Sequence, residues 1–297
     1  MDPDPEQIRL AAQTGADAVA VASTGNAGSS TACLAAAMGL RAVVFVPETA
    51  PAAKLTQSLA YGATVLAVRG SYDDAYDLCL RVCEERGWFN RSTGFNPFTR
   101  EGKKTSSFEV WEQLGRVPDR IIVPTGDGNI LSGVWKGWCD LYAAGLIDRL
   151  PKIDCAQSEG SGAICRTIES IRTGGTDPDW RAVNTKRVAA RTVADSISVD
   201  QPRDGLAATR AVVESGGIAV SVSDKQILSA IPEMASMSGV FPEPAAATPL
   251  AAARQMVTEG LVAPDEIVVC LVSGSGLKDI EGARTMTTEP VVIDPSL

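Results

Sequence analysis

Short apolar runs alternate with helical stretches along this chain, and that alternation restricts the fold more than any other feature. Residues 18–22 (Ala-Val-Ala-Val-Ala), 41–47 and 64–68 read as strands. Residues 5–14, 31–38, 52–61 and 72–86 read as helices, stopped by Gly15, Gly39, Gly62 and Gly87, where glycine readily takes the left-handed turn that ends a helix. After an irregular link at 95–102, the same order resumes. Strands are expected at 120–124, 152–157, 218–222 and 267–272, and helices at 103–114, 130–144, 162–172, 205–215, 224–238 and 244–259. Residues 174–195 are polar and poorly periodic and read as surface loop. The run at 18–22 is consistent with a buried parallel strand, and the alternation of strands and helices is the pattern of a parallel sheet with crossover helices. The fold class is therefore α/β.

Composition removes several functions. The net charge is −9, with no lysine or arginine block, so nucleic acid and anionic membrane are poor partners. With no histidine in the chain, a Cys/His zinc site and a histidine-based triad are both excluded. Seven scattered cysteines suit a reduced, cytoplasmic compartment better than a disulfide framework. No signal peptide is evident, and no apolar run is long enough to span a membrane.

Three small-residue loops fall at the carboxyl ends of expected strands. The first is Ser23-Thr24-Gly25-Asn26-Ala27-Gly28-Ser29-Ser30, the second Thr125-Gly126-Asp127-Gly128-Asn129, and the third Ser273-Gly274-Ser275-Gly276. Ligands of open α/β sheets bind at that edge, and a helix start offers backbone N–H groups to an anion. The second loop suits a phosphate, although the Asp127 carboxylate must then point away or cap the following helix. It has neither Rossmann nor Walker spacing. The alternative, less favoured, is that the three loops are ordinary strand-to-helix turns.

Longer stretches carry a resemblance. They are 22–26 (Ala-Ser-Thr-Gly-Asn), Asn96-Pro97 with 101–105 (Glu-Gly-Lys-Lys-Thr), 124–129 (Pro-Thr-Gly-Asp-Gly-Asn) and 132–137 (Ser-Gly-Val-Trp-Lys-Gly). They continue through 157–160 (Gln-Ser-Glu-Gly), 243–247 (Glu-Pro-Ala-Ala-Ala) and 273–279 (Ser-Gly-Ser-Gly-Leu-Lys-Asp). In that order they resemble threonine synthase and its relatives among the fold-type II pyridoxal-phosphate enzymes, the tryptophan synthase β-like superfamily. The resemblance implies two lobes of parallel-rich sheet, an incomplete smaller lobe at 1–110 and a larger cofactor-binding lobe at 111–297, and a homodimer. It implies pyridoxal 5′-phosphate as cofactor and a small amino-acid substrate. The implied reaction, in the full-length form, is conversion of O-phosphohomoserine and water to threonine and phosphate. Serine/threonine dehydration or β-replacement, and a non-catalytic ligand-binding protein, are the alternatives.

The resemblance also implies roles. Asn26 would bond the cofactor's phenolic oxygen, and Ser23, Thr24 and Ala27 would hold the substrate carboxylate. Gly126, Asp127, Gly128 and Asn129 match the family's phosphate cradle, which commonly has Asn where Asp127 stands. Ser273 would face the pyridine nitrogen; a neutral hydroxyl there leaves the ring a weaker electron sink, suited to elimination and replacement. Ser275 stands where threonine synthases often have His. Lys54 is read as a solvated helix lysine or a contact for substrate phosphate, Lys103 and Lys104 as stabilising the interface between lobes, and Glu243 as a helix cap. The family's Schiff-base lysine lies one helix before the Ser-Thr-Gly-Asn turn. Here that position falls at or before Met1, Asp2 would be the family's Asp, and no lysine precedes Lys54. The expectation is a fragment or late start, or else a pseudoenzyme, with a substitute lysine least favoured. The polypeptide as written would then lack the usual covalent attachment of cofactor.

Overall fold

The computed structural model describes residues 5–50, 52–175 and 178–295. Met1 and Asp2, which bear on the expected lysine position, lie outside these residues, as does the side chain of Lys54.

Two parallel four-stranded sheets carry the chain. The first comprises β1 (Val19–Ala22), β2 (Ala42–Pro47), β3 (Thr64–Val68) and β4 (Phe89–Asn90), in the order β3-β2-β1-β4. Its crossovers are helices α2 (Asn26–Ala37), α3 (Ala52–Ala60) and α4 (Tyr72–Arg86), with α1 (Pro5–Thr14) preceding β1. Two helices, α5 (Phe98–Lys103) and α6 (Thr105–Leu114), then lead to the second sheet. That sheet comprises β5 (Arg120–Pro124), β6 (Lys152–Ser158), β7 (Ala219–Val222) and β8 (Val268–Cys270), in the order β7-β6-β5-β8. Its helices are α7 (Asn129–Ala143), α8 (Ala163–Thr173), α9 (Gly205–Glu214), α10 (Asp224–Ser238) and α11 (Pro244–Thr258), and α12 (Ile280–Arg284) follows β8.

The apolar strands earn their burial. Every residue of β1, β2 and β5 is buried, because helices cover both faces of a parallel sheet. Across β1 and β2 the register pairs Val19 with Ala42 and Ala22 with Phe45. Edge strand β3 is mostly exposed. The α4 start is closed by a capping box between Ser71 and Asp74, which satisfies backbone donors from both sides.

Both sheets share one topology, and it places the loops. In the first sheet the chain moves outward from β1 to β3 and then returns to β1's other side as β4. In the second it moves from β5 to β7 and returns beside β5 as β8. The strand order thus reverses beside β1 and beside β5, and ligands of α/β sheets sit at such reversals. The first glycine loop follows β1, the second follows β5 and the third follows β8.

Several expected elements differ. The helix read at 31–38 begins at Asn26; glycine and serine in its first turn mask it by their weak helix propensity. The link at 95–102 contains α5, and the helix read at 103–114 starts only at Thr105. Strand β4 is two residues long, too short to leave a periodic signal. Residue 110 lies within α6, whose Phe108, Val110 and Trp111 pack on the core of the second sheet. No helix among the described residues is long and apolar enough to cross a membrane.

Candidate active site

The three loops line one cavity of about 430 Å³. Ser23, Thr24, Asn26 and Ala27 enter from the end of β1, Gly126, Asp127, Gly128 and Asn129 from the end of β5, and Ser273 from the end of β8. The nine residues that the resemblance assigns to cofactor or substrate therefore meet in one place, whereas Ser275 and Lys104 are not among the described lining residues.

The first loop is held by its own side chains, with Ser23 Oγ accepting from the Gly25 N–H (3.2 Å), and by its neighbours. Ala22 N–H donates to Ser92 Oγ (3.1 Å), and the buried Arg91 donates through Nη1 to Ala27 O (3.3 Å) and Thr31 Oγ1 (3.1 Å). A Cβ on Gly28 would stand 2.7 Å from Ser23 O and 3.2 Å from Val44 Cγ1, so only glycine lets α2 start this close to the strand end. Asn26, at the first position of α2, donates through Nδ2 to the Ser273 carbonyl (3.2 Å). Its Oδ1 accepts from Lys278 Nζ, which also donates to Ser29 Oγ (3.1 Å). The amide is thereby oriented from both ends, and its second N–H stays available to a ligand.

The second loop is braced from behind. Asn129 Nδ2 donates to Thr99 Oγ1 and to Asp204 Oδ2, both at 3.0 Å. Asp204 also accepts from Ser132 Oγ (2.6 Å) and from Arg100, through Nε (2.9 Å) and Nη2. The Asn129 side chain is thus committed to scaffold, which leaves the backbone N–H groups of the first α7 turn for a ligand. Gly128 has φ +91°, and a Cβ there would stand 2.7 Å from Ala208 Cβ.

Asp127 does point away from the cradle. Its Oδ1 accepts from the Arg203 backbone N–H (3.0 Å), and the Tyr72 hydroxyl lies 3.3 Å from its Oδ2. The loop gains no side-chain cap for α7 from it. Burial pushes the Asp127 carboxyl up to about 6, against the pull of these donors and the Arg203 charge. Burial, and next the Asp127 charge, hold the Tyr72 phenol well above its ordinary range.

Three features escaped the sequence. Residues 195–199, next to the stretch read as surface loop, form a strap along the cavity. Ser161 Oγ donates to Ile197 O (2.9 Å) and accepts from the Val199 N–H (3.0 Å), fixing it there. A Cβ on Gly126 would meet Ile197 Cα at 2.9 Å, so the glycine is the strap's seat. Glu243 stands at the capping position of α11, yet its side chain makes no capping bond there. It is 2 % exposed and lines the cavity beside Ser273; Gly274 leaves the room, since a Cβ would collide with the carboxylate. Lys103 and Lys104 diverge. Lys104 donates to Asp140 Oδ2 (3.0 Å) and pairs with Glu101, within the α5–α7 surface, whereas Lys103 lines the cavity. The signal for Lys278 was its place in the third motif, five residues after Ser273.

A site built from the loops of two such sheets belongs to a known class of enzyme. Residues 6–274 match the family described as pyridoxal-phosphate dependent enzyme, and the chain belongs to that family. Its cofactor is pyridoxal 5′-phosphate, and its fold is fold-type II. Within it, the chain is similar to threonine synthases. It is 36% identical to that of Methanocaldococcus jannaschii over 97% of this chain and 69% of the relative. It is 36% identical to that of Methanosarcina acetivorans over 98% and 70%. Among solved structures, threonine deaminase isoform 2 from Solanum lycopersicum superposes with a TM-score of 0.73 at 19% identity, covering 96% of this chain and 75% of that one. Maize serine racemase superposes at 0.69 and 23% identity, covering 96% and 78%.

Proposed function

We propose that this chain is a threonine synthase-type lyase, converting O-phosphohomoserine and water to threonine and phosphate. The observation that carries the reading is the meeting of Asn26, Ser273 and the α7 start around one cavity, in a chain similar to threonine synthases over nearly all its length.

The donor set fits the family's cofactor. The first-turn N–H groups of α7 suit a phosphate monoester. The remaining N–H of Asn26 suits an oxyanion on the ring, and Ser273 suits a ring nitrogen that is left unprotonated. Pyridoxal phosphate, when bound, supplies the electron sink. The protein's part is to place the substrate. Ser23, Thr24 and Ala27, at the start of α2, hold the carboxylate at the positive end of the helix dipole. The strap at 195–199 forms one wall of the cavity in which the substrate would sit. The division into lobes near residue 110, the homodimer and the cytoplasmic location belong to the same proposal; the seven thiols support the last.

The test is incubation with pyridoxal phosphate and O-phosphohomoserine, with phosphate and threonine measured together. Equal release of both supports the reading. Formation of 2-oxobutanoate from threonine instead assigns the chain to the dehydratases. Cofactor binding without turnover of either substrate assigns it a binding role.

A further inference from the structure

The described lining of the cavity holds five carboxylates, on Asp73, Asp127, Asp195, Asp200 and Glu243, and one cation, Lys103. Lys103 ends α5 where that helix crosses α7. A Cβ on Gly133 would stand 2.7 Å from Lys103 Cβ and 3.2 Å from the Arg100 carbonyl, so glycine at that position lets the two helices touch. From that contact the lysine stem runs back along α7 by one turn. Its Nζ donates to Asn129 Oδ1 across 2.6 Å, at the first residue of α7.

A protonated amine is thus held at the positive end of a helix dipole, in a cavity wall. The two repel each other, and an anion placed between them satisfies both. Two nearby carboxylates are directed elsewhere. Asp204 gathers Arg100, Asn129 and Ser132 behind the loop, and Asp127 turns to Tyr72 and the Arg203 N–H.

We infer that Lys103 is the charged arm of the phosphate site, binding the phosphate monoester of pyridoxal phosphate non-covalently at the start of α7. The inference rests on the reading that this cavity takes that cofactor. It gives Lys103, the one cation among the described residues lining the cavity, a role in binding rather than at a lobe interface.

The test compares pyridoxal phosphate with pyridoxal, which lacks the phosphate, by equilibrium dialysis and absorbance, for wild type, Lys103→Met, Lys103→Gln and Lys103→Arg. Methionine keeps the stem over Gly133, glutamine keeps a bond to Asn129, and arginine keeps the charge. Loss of the charge should weaken pyridoxal phosphate by about ten- to a hundredfold and leave pyridoxal unchanged, with arginine retaining most of the affinity. Circular dichroism verifies folding, and the glutamine variant carries the test if the methionine variant does not fold. Equal weakening of both compounds overturns the inference alone. So does an effect confined to O-phosphohomoserine, which would place the lysine on substrate phosphate. A stoichiometric pyridoxyl adduct on Lys103 after borohydride reduction also overturns it, in favour of covalent attachment. Wild-type protein that binds neither compound overturns the cofactor reading and the inference with it.

Discussion

Asn26 Nδ2 donates to the Ser273 carbonyl across 3.2 Å, joining the loop after β1 to the loop after β8. The bond ties one sheet to the other at the floor of the cavity, and Lys278 holds the opposite end of the same amide. Asn26→Ala should lower stability by about 1 kcal/mol, the usual net value of such a bond. Asn26→Asp should cost more, because it sets a carboxylate against the Ser273 carbonyl while keeping the Lys278 partner. Urea denaturation of the two variants checks the order. Pyridoxal phosphate titration should show both binding more weakly than wild type.

Gly128 and Gly145 both have positive φ, at +91° and +70°, but a Cβ on Gly145 meets nothing within 4 Å. Gly145→Ala should therefore carry only the backbone penalty of about 1 kcal/mol. Gly128→Ala adds collision with Ala208 Cβ and the Asp204 carbonyl, and should cost several times as much while displacing the start of α7. Thermal melting of the pair separates the two contributions.

Asp127 makes stability depend on pH in an unusual direction for a carboxylate. The fold raises its ionisation from an ordinary 3.8 to about 6, so between those values the native state holds a proton that the unfolded chain releases. Stability from this group is fully present below about pH 4 and is lost as pH rises to about 6, by about 3 kcal/mol. Asp127→Asn should abolish that slope. The difference between wild type and variant in urea midpoint, from pH 4 to 7, is the measurement, since the other carboxylates titrate in both.

Arg120 and Asp154 form a buried bidentate pair between β5 and β6. Nε donates to Oδ2 at 2.8 Å and Nη2 to Oδ1 at 2.7 Å, and the Ile218 N–H also donates to Oδ1 at 2.7 Å. The side chains are 3 % and 0 % exposed. Asp154→Ala removes the bidentate partner of the buried guanidinium, leaving Glu266 Oε1 3.7 Å from Nη1, and should cost about 3 kcal/mol, the low end for a broken buried pair. The double variant Arg120→Met with Asp154→Leu should recover much of that loss, because neither charge then pays for desolvation. Urea unfolding of both gives the comparison.

How much of this was legible beforehand depended on whether the cause was local. Strands β1 and β2 were readable because a strand covered on both faces is apolar along its length, and β5 because Ile121 to Val123 form such a run beside the paired Arg120. Helix α10 was readable despite Pro232, because Ser223 and Gln226 cap one end and Gly239 the other. The loops were found because small residues cluster there, and the family resemblance assembled them into one site. The start of α2 was missed because its stability comes from packing of Gly28 on the strand end, which leaves no propensity signal. Glu243 was misread because its position is a cap, while the space that draws its carboxylate inward belongs to Gly274, thirty-one residues away.

Local pattern by itself determined the order of strands and helices and the three glycine loops, and the resemblance carried by the longer motifs supplied the ligand. Only the tertiary structure decided that both sheets reverse at the strands carrying those loops, and that five carboxylates share the cavity with Lys103. It also separated two adjacent lysines that the sequence treats alike. Lys104 faces Asp140 on the surface of α7, and Lys103 follows α7 inward from Gly133 to Asn129. The physical reason is that side-chain direction and charge balance depend on which helix crosses at that point, and the crossing is set by contacts far apart in the chain.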